Sequence, residues 1–190
     1  MGRPAGRPFL FGVQSLIEIR IASQSDAPAI KALMDLAISE LQKGFLTLQQ
    51  VESSRAGMGL DLQLIEDGTY FCVEEDGSLV GCGGWSRRAT LYGGNHSAGR
   101  DPRLLDPATE RARIRAMYTH PEHTRKGIGR LILDTAEAAA RAEGFSAIEM
   151  AATMSGKPLY LACGYEIESE WFDENGAVPV PLATMWKQLD

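Results

Sequence analysis

Apolar positions along this chain change their spacing several times, and each change marks an element. In SLIEIRIA (15–22), Leu16, Ile17, Ile19 and Ile21 lie close to alternation, which predicts a strand. From Ile30 through Leu33, Met34, Ala37, Ile38 and Leu41 the spacing is helical, with Ser25 as the cap, Pro28 in the first turn and Gly44 as the stop. LTLQQVESSRA holds Thr47 and, three residues later, Gln50, a capping pair that predicts a second helix over 47–56. Two runs with a period of two, TYFCVEE (69–75) and SLVGCGGWS (78–86), flank Asp76-Gly77, whose tolerance of positive φ predicts an antiparallel hairpin. The polar stretch 87–110 is too long for an ordinary connection and reads as a functional loop or a partly disordered insertion.

ARIRAMYTH (112–120) predicts a strand, Ile128 to Glu143 a helix ended by Gly144, and SAIEMAA (146–152) a strand with Ile148, Met150 and Ala152 on one face. Strand, helix and strand in succession make a parallel, right-handed crossover, its helix laying Ile128, Leu131, Ile132, Thr135 and Ala139 on the sheet. GKPLYLACG (156–164) predicts a short helix, and EIESEWF and PLATMWKQL close the chain as strands. The order predicts an α+β fold, a mixed sheet between helices on both faces (an α/β/α sandwich), forming one domain over 16–190 behind a loosely held tail at 1–15.

Composition narrows the class. At 190 residues, 44% hydrophobic and 23% charged, the chain reads as a soluble globular protein. No window approaches the roughly eighteen unbroken apolar residues of a membrane helix, and MGRPAGRPFLFGV has too short an apolar run for a secretory leader. A cytoplasmic location and no membrane partner are the expectations. Cys72, Cys82 and Cys163 are odd in number and lack ligand spacing, so neither a disulfide framework nor a metal site is expected. A net charge of −6 argues against a nucleic-acid partner. The charge is uneven, however: residues 87–130 hold ten Lys/Arg against four Asp/Glu, and the rest of the chain nine against twenty-one. That basic centre coincides with HTRKGIGR and points to an anionic small-molecule ligand.

HTRKGIGR joins the carboxyl end of one predicted strand to the amino end of a helix, where unpaired N–H groups and the helix dipole favour an anion. Gly127 and Gly129 admit a ligand to the backbone, and Arg125, Lys126 and Arg130 add charge; a pyrophosphate is the expected ligand. A P-loop would need Gly-Lys followed by Ser or Thr, which Gly127-Ile128-Gly129-Arg130 does not offer. A dinucleotide fingerprint would need a third glycine where Ile132 stands, and a tighter turn before it. Glu149, twenty residues past Gly129, keeps that alternative open.

HPEHTRKGIGRLIL resembles the acyl-CoA-binding signature of the GNAT superfamily of N-acetyltransferases: Gln or Arg, two residues, Gly, one residue, then Gly or Ala. Thr124 stands at the Gln/Arg position, so Arg125 or the backbone must compensate. PLYLACGYE resembles the family's helix motif of Tyr, three residues, Gly and an aromatic, filled by Tyr160, Gly164 and Tyr165, and the likeness spans about residues 16 to 189. The resemblance implies a GNAT-like acyl-CoA N-acyltransferase fold and transfer of an acetyl group from acetyl-CoA to an amine acceptor, without a metal. It implies acetyl-CoA in a splay between the fourth and fifth strands, with pantetheine along Met117, Tyr118 and Thr119. The pyrophosphate would meet the segment Thr124, Arg125, Lys126, Gly127, Ile128, Gly129 and Arg130. By the same resemblance the backbone N–H of Tyr118, or of Met117, serves the oxyanion and Tyr160 is the general acid.

The base is Glu149 or Glu110, with His120 a third candidate. Thr153 and Ser155 either bond the pantetheine arm or cap the helix that follows. The acceptor stays open, with a slight lean from the acidic first half towards a cationic amine. The loop 87–110, with Trp85 before it, is the candidate lid. An acetyl-CoA sensor without turnover is the alternative from another class, and a homodimer through the closing strands is left open.

Overall fold

The computed structural model describes residues 15–97 and 99–190, so the expected tail lies, up to residue 14, outside the described residues. The elements run β1 (Ile17–Ile21), α1 (Ala27–Leu41), α2 (Leu48–Ser54), α3 (Leu62–Glu66), β2 (Tyr70–Glu75), β3 (Ser78–Ser86) and β4 (Ala112–Thr119), then α4 (Ile128–Ala142), β5 (Ala147–Thr153), α5 (Lys157–Ala162), β6 (Glu166–Asp173) and β7 (Val180–Gln188). They build one sheet in the order β1-β2-β3-β4-β5-β7-β6, antiparallel except where β4 meets β5. The predicted mixed sheet with a parallel crossover is therefore what forms. Helices α1 to α3 cover one face and α4 and α5 the other. Among the described residues no helix is long and apolar enough to cross a membrane.

Local chemistry explains most boundaries. Asp76 and Gly77 both take positive φ (51° and 79°), as a two-residue hairpin requires. Thr47 and Gln50 close the predicted capping box of α2. Helix α1 buries Ile30, Leu33, Met34, Ala37 and Ile38 as its spacing predicts, but Asp26 rather than Ser25 stands at its N-cap. A 3₁₀ turn at Gln24–Asp26 precedes the helix, and the Ser23 N–H donates to Asp26 Oδ2 at 2.7 Å. Helix α3 has no counterpart in the periodicity, because five residues are too few to repeat; Asp61 caps it.

Helix α4 presents a different face from the predicted one. Ile128, Ile132, Leu133, Ala136 and Ala140 are buried, while Leu131, Thr135 and Ala139 are half-buried. Close approach to β3 decides this. A Cβ at Gly83 would stand 3.0 Å from Ile132, and one at Gly81 would run into Ile128. The rotation also buries Glu137, which accepts from the Tyr165 hydroxyl at 3.1 Å and from Lys187 Nζ at 2.7 Å.

The stretch 87–110 is a loop tied to the body. Arg88 pairs with Asp67 at 2.6 Å, while Arg100 and Arg115 meet the buried Asp61 carboxylate at 2.8 and 2.9 Å. Arg115 also donates to the carbonyls of Thr90 and Gly93. The basic centre is thus largely a frame: Arg87, Arg88, Arg100, Arg103, Arg111, Arg113 and Arg115 all pair with carboxylates. Of the three cations at the mouth of α4, Lys126 also pairs with a carboxylate, that of Glu75, whereas Arg125 and Arg130 are exposed. Trp85 belongs to the core, packed edge-on against Phe145 with ring centroids 6.0 Å apart, and not to a lid.

Candidate active site

Strands β4 and β5 are hydrogen-bonded only where they begin. Ala112 pairs with Ile148 and Arg113 with Glu149; beyond that the ladder stops, although β4 continues to Thr119 and β5 to Thr153. The two strand edges that face the gap therefore offer backbone donors and acceptors to a ligand. A bulge bends β4: its register with β3 shifts between Cys82 and Gly84, and Ala116 sits at φ 50°. A left-handed alanine costs on the order of 1 kcal/mol. Tyr70 offsets it from the core, its hydroxyl donating to the Ala116 carbonyl at 2.6 Å.

The gap opens into a cavity of about 60 Å³ bordered by Met117 and Tyr118 of β4, Met150 and Thr153 of β5, Tyr160 of α5, and Met58 from the segment after α2. Tyr160 reaches it because Gly156, at the start of α5, leaves room; a Cβ there would stand 2.8 Å from the ring. Tyr165 braces the ring edge-on at 6.0 Å. Burial pushes the Tyr160 hydroxyl up to about 12, so it keeps its proton throughout the physiological range. Thr153 and Ser155 close the turn into α5: their hydroxyls lie 3.2 Å apart, and Thr153 Oγ1 accepts from the Gly156 N–H.

At the mouth of α4 the two glycines do different work. Gly127 takes φ 86° with open space where a Cβ would be, so its conformation selects it. Gly129 is selected by space, since a Cβ would stand 2.7 Å from Leu159. The N–H groups of Ile128, Gly129 and Arg130 are those a helix leaves without an internal partner. Thr124 donates to the Pro121 carbonyl at 3.2 Å, Lys126 pairs with Glu75 at 3.1 Å, and Arg130 reaches the Ala162 carbonyl at 3.2 Å. Arg125, itself at φ 63°, is exposed.

The base candidates do not converge on the cavity. Glu149 stands at the closed end of the β4–β5 pair, bound to Arg111 at 3.0 Å and to Arg113. Glu110 is gripped by Arg103 at 2.7 Å and by the Asp106 N–H, which hold its carboxyl down at about 2. His120 accepts the Glu122 N–H at 3.2 Å within a 3₁₀ turn. Thr119 ends β4 opposite Gly81.

Met58 carried no signal in the sequence, nor did its neighbour Gly57, because both lie in a segment without period. The 87–110 loop holds them as part of the wall: the Gly94 N–H donates to the Gly57 carbonyl at 3.1 Å and the Asn95 N–H to the Leu60 carbonyl at 2.9 Å.

The chain is similar to known proteins. Residues 30–165 match the family model described as the acetyltransferase (GNAT) family. No curated protein matches the chain. Among solved structures the chain is similar to the GCN5-related N-acetyltransferase from Rhodopseudomonas palustris, with a TM-score of 0.68, 18% identity and 93% of this chain and 98% of that one covered. It is also similar to the PaiA N-acetyltransferase from Thermoplasma acidophilum in complex with coenzyme A (TM-score 0.62, 16% identity, 91% and 99% covered). The structure of YncA from Salmonella typhimurium with its cofactor acetyl-CoA gives a TM-score of 0.60 at 20% identity, with 92% and 94% covered. At such identities the likeness is one of fold.

Proposed function

The chain belongs to the GNAT acetyltransferase family, and from that premise we propose that it moves an acetyl group from acetyl-CoA to a primary amine by direct attack in a ternary complex. The observation that carries the reading is a convergence at one gap: two unladdered strand edges, the open N–H groups of α4 and a buried, protonated tyrosine. The same proposal takes no nucleic-acid partner, on the net charge of −6, and a cytoplasmic location.

In this reading the free edge at Met117, Tyr118 and Thr119 takes the amide-bearing pantetheine arm as it would take a strand, with Thr153 and Ser155 opposite. The segment from Thr124 to Arg130 holds the diphosphate through backbone N–H groups, aided by Arg125, Lys126 and Arg130. Arg125 supplies the long polar arm that Thr124 lacks. The backbone N–H of Tyr118, or of Met117, receives the oxygen on which negative charge builds as the carbon–nitrogen bond forms. Tyr160 gives its proton to the sulfur as the carbon–sulfur bond breaks. An alkylammonium of pKa about 10.4 is neutral to only about one part in a thousand near pH 7.4, so its proton must be removed. With Glu149 and Glu110 engaged by arginines, a chain of waters does this.

Tyr160→Phe tests the assignment. Under saturating acetyl-CoA, kcat should fall about 10²- to 10⁴-fold while calorimetric acetyl-CoA affinity is kept. An unchanged kcat across pH removes Tyr160 from the chemistry.

A further inference from the structure

We propose that Tyr70, a core residue of β2 that does not border the transfer cavity, is a positioning residue for acetyl transfer: by holding the bulge of β4 it aims the Met117 N–H at the oxygen of the reacting thioester. The proposal rests on the acetyltransferase reading above and chooses between the two backbone donors that reading leaves open.

The bulge sets Ala116 and Met117 together against Gly83, since Cys82 pairs with Tyr118 and Gly84 with Arg115. Ala116 is the first of the two and takes φ 50°, the left-handed place that such bulges usually give to glycine. Its Cβ makes that conformation costly, so unaided the strand would favour regular pleating. Tyr70 supplies the aid. It is 1% exposed, within the buried cluster that includes Ile30, Met34 and Cys82, and its hydroxyl donates to the Ala116 carbonyl at 2.6 Å. Burial raises that hydroxyl well above its ordinary value, so it stays a donor at any working pH.

The Ala116 carbonyl and the Met117 N–H belong to one peptide unit. That unit is planar and trans, so the two point in opposite directions: with the carbonyl drawn towards Tyr70, the N–H is turned away from it. Met117 borders the cavity and packs on the other side of the sheet from Tyr70, against the cluster of Ile128 and Ile132. Gly83 seats it there, since a Cβ at that position would stand 2.8 Å from the Met117 side chain. A bulge leaves its extra residue without a ladder partner, so the donor is free as well as aimed. A donor to an oxyanion acts best when it is fixed before the charge builds, and the Tyr70 hydroxyl is what fixes this one.

The test pairs Tyr70→Phe, which removes the oxygen and keeps the ring, with Ala116→Gly, which makes the left-handed conformation easy without it. Melting curves check that each variant folds, and thiol release from acetyl-CoA is followed with butylamine and with trialanine as acceptors. Tyr70→Phe should lower kcat about 10- to 100-fold while the calorimetric Kd for acetyl-CoA stays within about 3-fold of wild type. Adding Ala116→Gly to Tyr70→Phe should recover most of that loss. A residue that only stabilises the fold would lower the melting temperature, and glycine would not restore kcat. An unchanged kcat in Tyr70→Phe, or a loss that Ala116→Gly does not reverse, overturns the assignment. Should Tyr70→Phe alone not fold, the comparison moves to the Ala116→Gly background, where removing the hydroxyl should change kcat less than about 3-fold and a loss of about 10-fold overturns the assignment. If neither acceptor releases thiol from the wild type, the acetyltransferase reading is what fails, and amide exchange then decides on Tyr70 separately. Exchange at Arg115 and Tyr118, whose pairs flank the bulge, should quicken about 10-fold in Tyr70→Phe and slow again with Ala116→Gly, and equal exchange in wild type and Tyr70→Phe rejects the clamp.

Discussion

Tyr160 and Glu110 titrate in opposite directions from their ordinary values, and each shift has a visible cause. Burial in the cavity wall raises Tyr160 to about 12, so its proton-bearing form persists through alkaline pH. The kcat profile should therefore rise as the acceptor amine loses its proton and show no fall until the pH nears 12; a fall near the ordinary tyrosine value of about 10 would mean that the hydroxyl is solvated in the working enzyme. Arg103, followed by the Asp106 N–H, lowers Glu110 from 4.5 to about 2. A carboxyl lowered on folding stabilises the protein above its unfolded value, and this contribution fades as pH falls through the folded one. Urea midpoints of wild type and Glu110→Gln should thus differ above pH 4.5 and converge by pH 2, with kcat at neutral pH unchanged. At this scale the sequence marked Gly127, Gly129 and Tyr160, since glycines at a helix start and a tyrosine in a spaced motif stand out locally. Met58 has no such mark, and only the finished fold brings it to the cavity beside Met117 and Tyr160.

At the scale of elements, the buried cluster of Asp61, Arg100 and Arg115 fastens the start of α3, strand β4 and the loop together. Removing the carboxylate leaves two guanidinium groups facing each other without their counter-ion. Asp61→Asn should destabilise the protein by about 3–5 kcal/mol in chemical denaturation. Because the same loop holds Gly57, the acceptor KM should rise more than the acetyl-CoA KM. Strands and most helices were legible from periodicity alone. The face of α4 was not: DTAEAAARA offers apolar groups on several sides, and the bare backbone of Gly81 and Gly83 on a distant strand selects among them. The bulge in β4 was equally hidden, because Ala116 carries no local preference for the left-handed region and is held there by Tyr70.

For the whole molecule, the order of elements and the crossover could be read before the fold was known. The separation of β4 from β5 was expected only through the family resemblance and not from periodicity, since two strands that pair and two that diverge share the same alternation. That separation divides the sheet into β1 to β4 on one side and β5 to β7 on the other, with Ala112–Ile148 and Arg113–Glu149 as the backbone link. Acetyl-CoA lying along both edges would tie the halves together, and at a hundred times its Kd it should add about 2.7 kcal/mol to the free energy of unfolding. Amide exchange would locate the effect, with slowing at Met117–Thr119 and Ala151–Thr153 well above that in β1 and β2. A sheet whose weakest seam is also its proposed substrate groove would have a lifetime that depends on occupancy. Depleted of donor, the protein should be nicked by proteases sooner, so that the supply of acetyl groups governs how much enzyme survives as well as how fast it works.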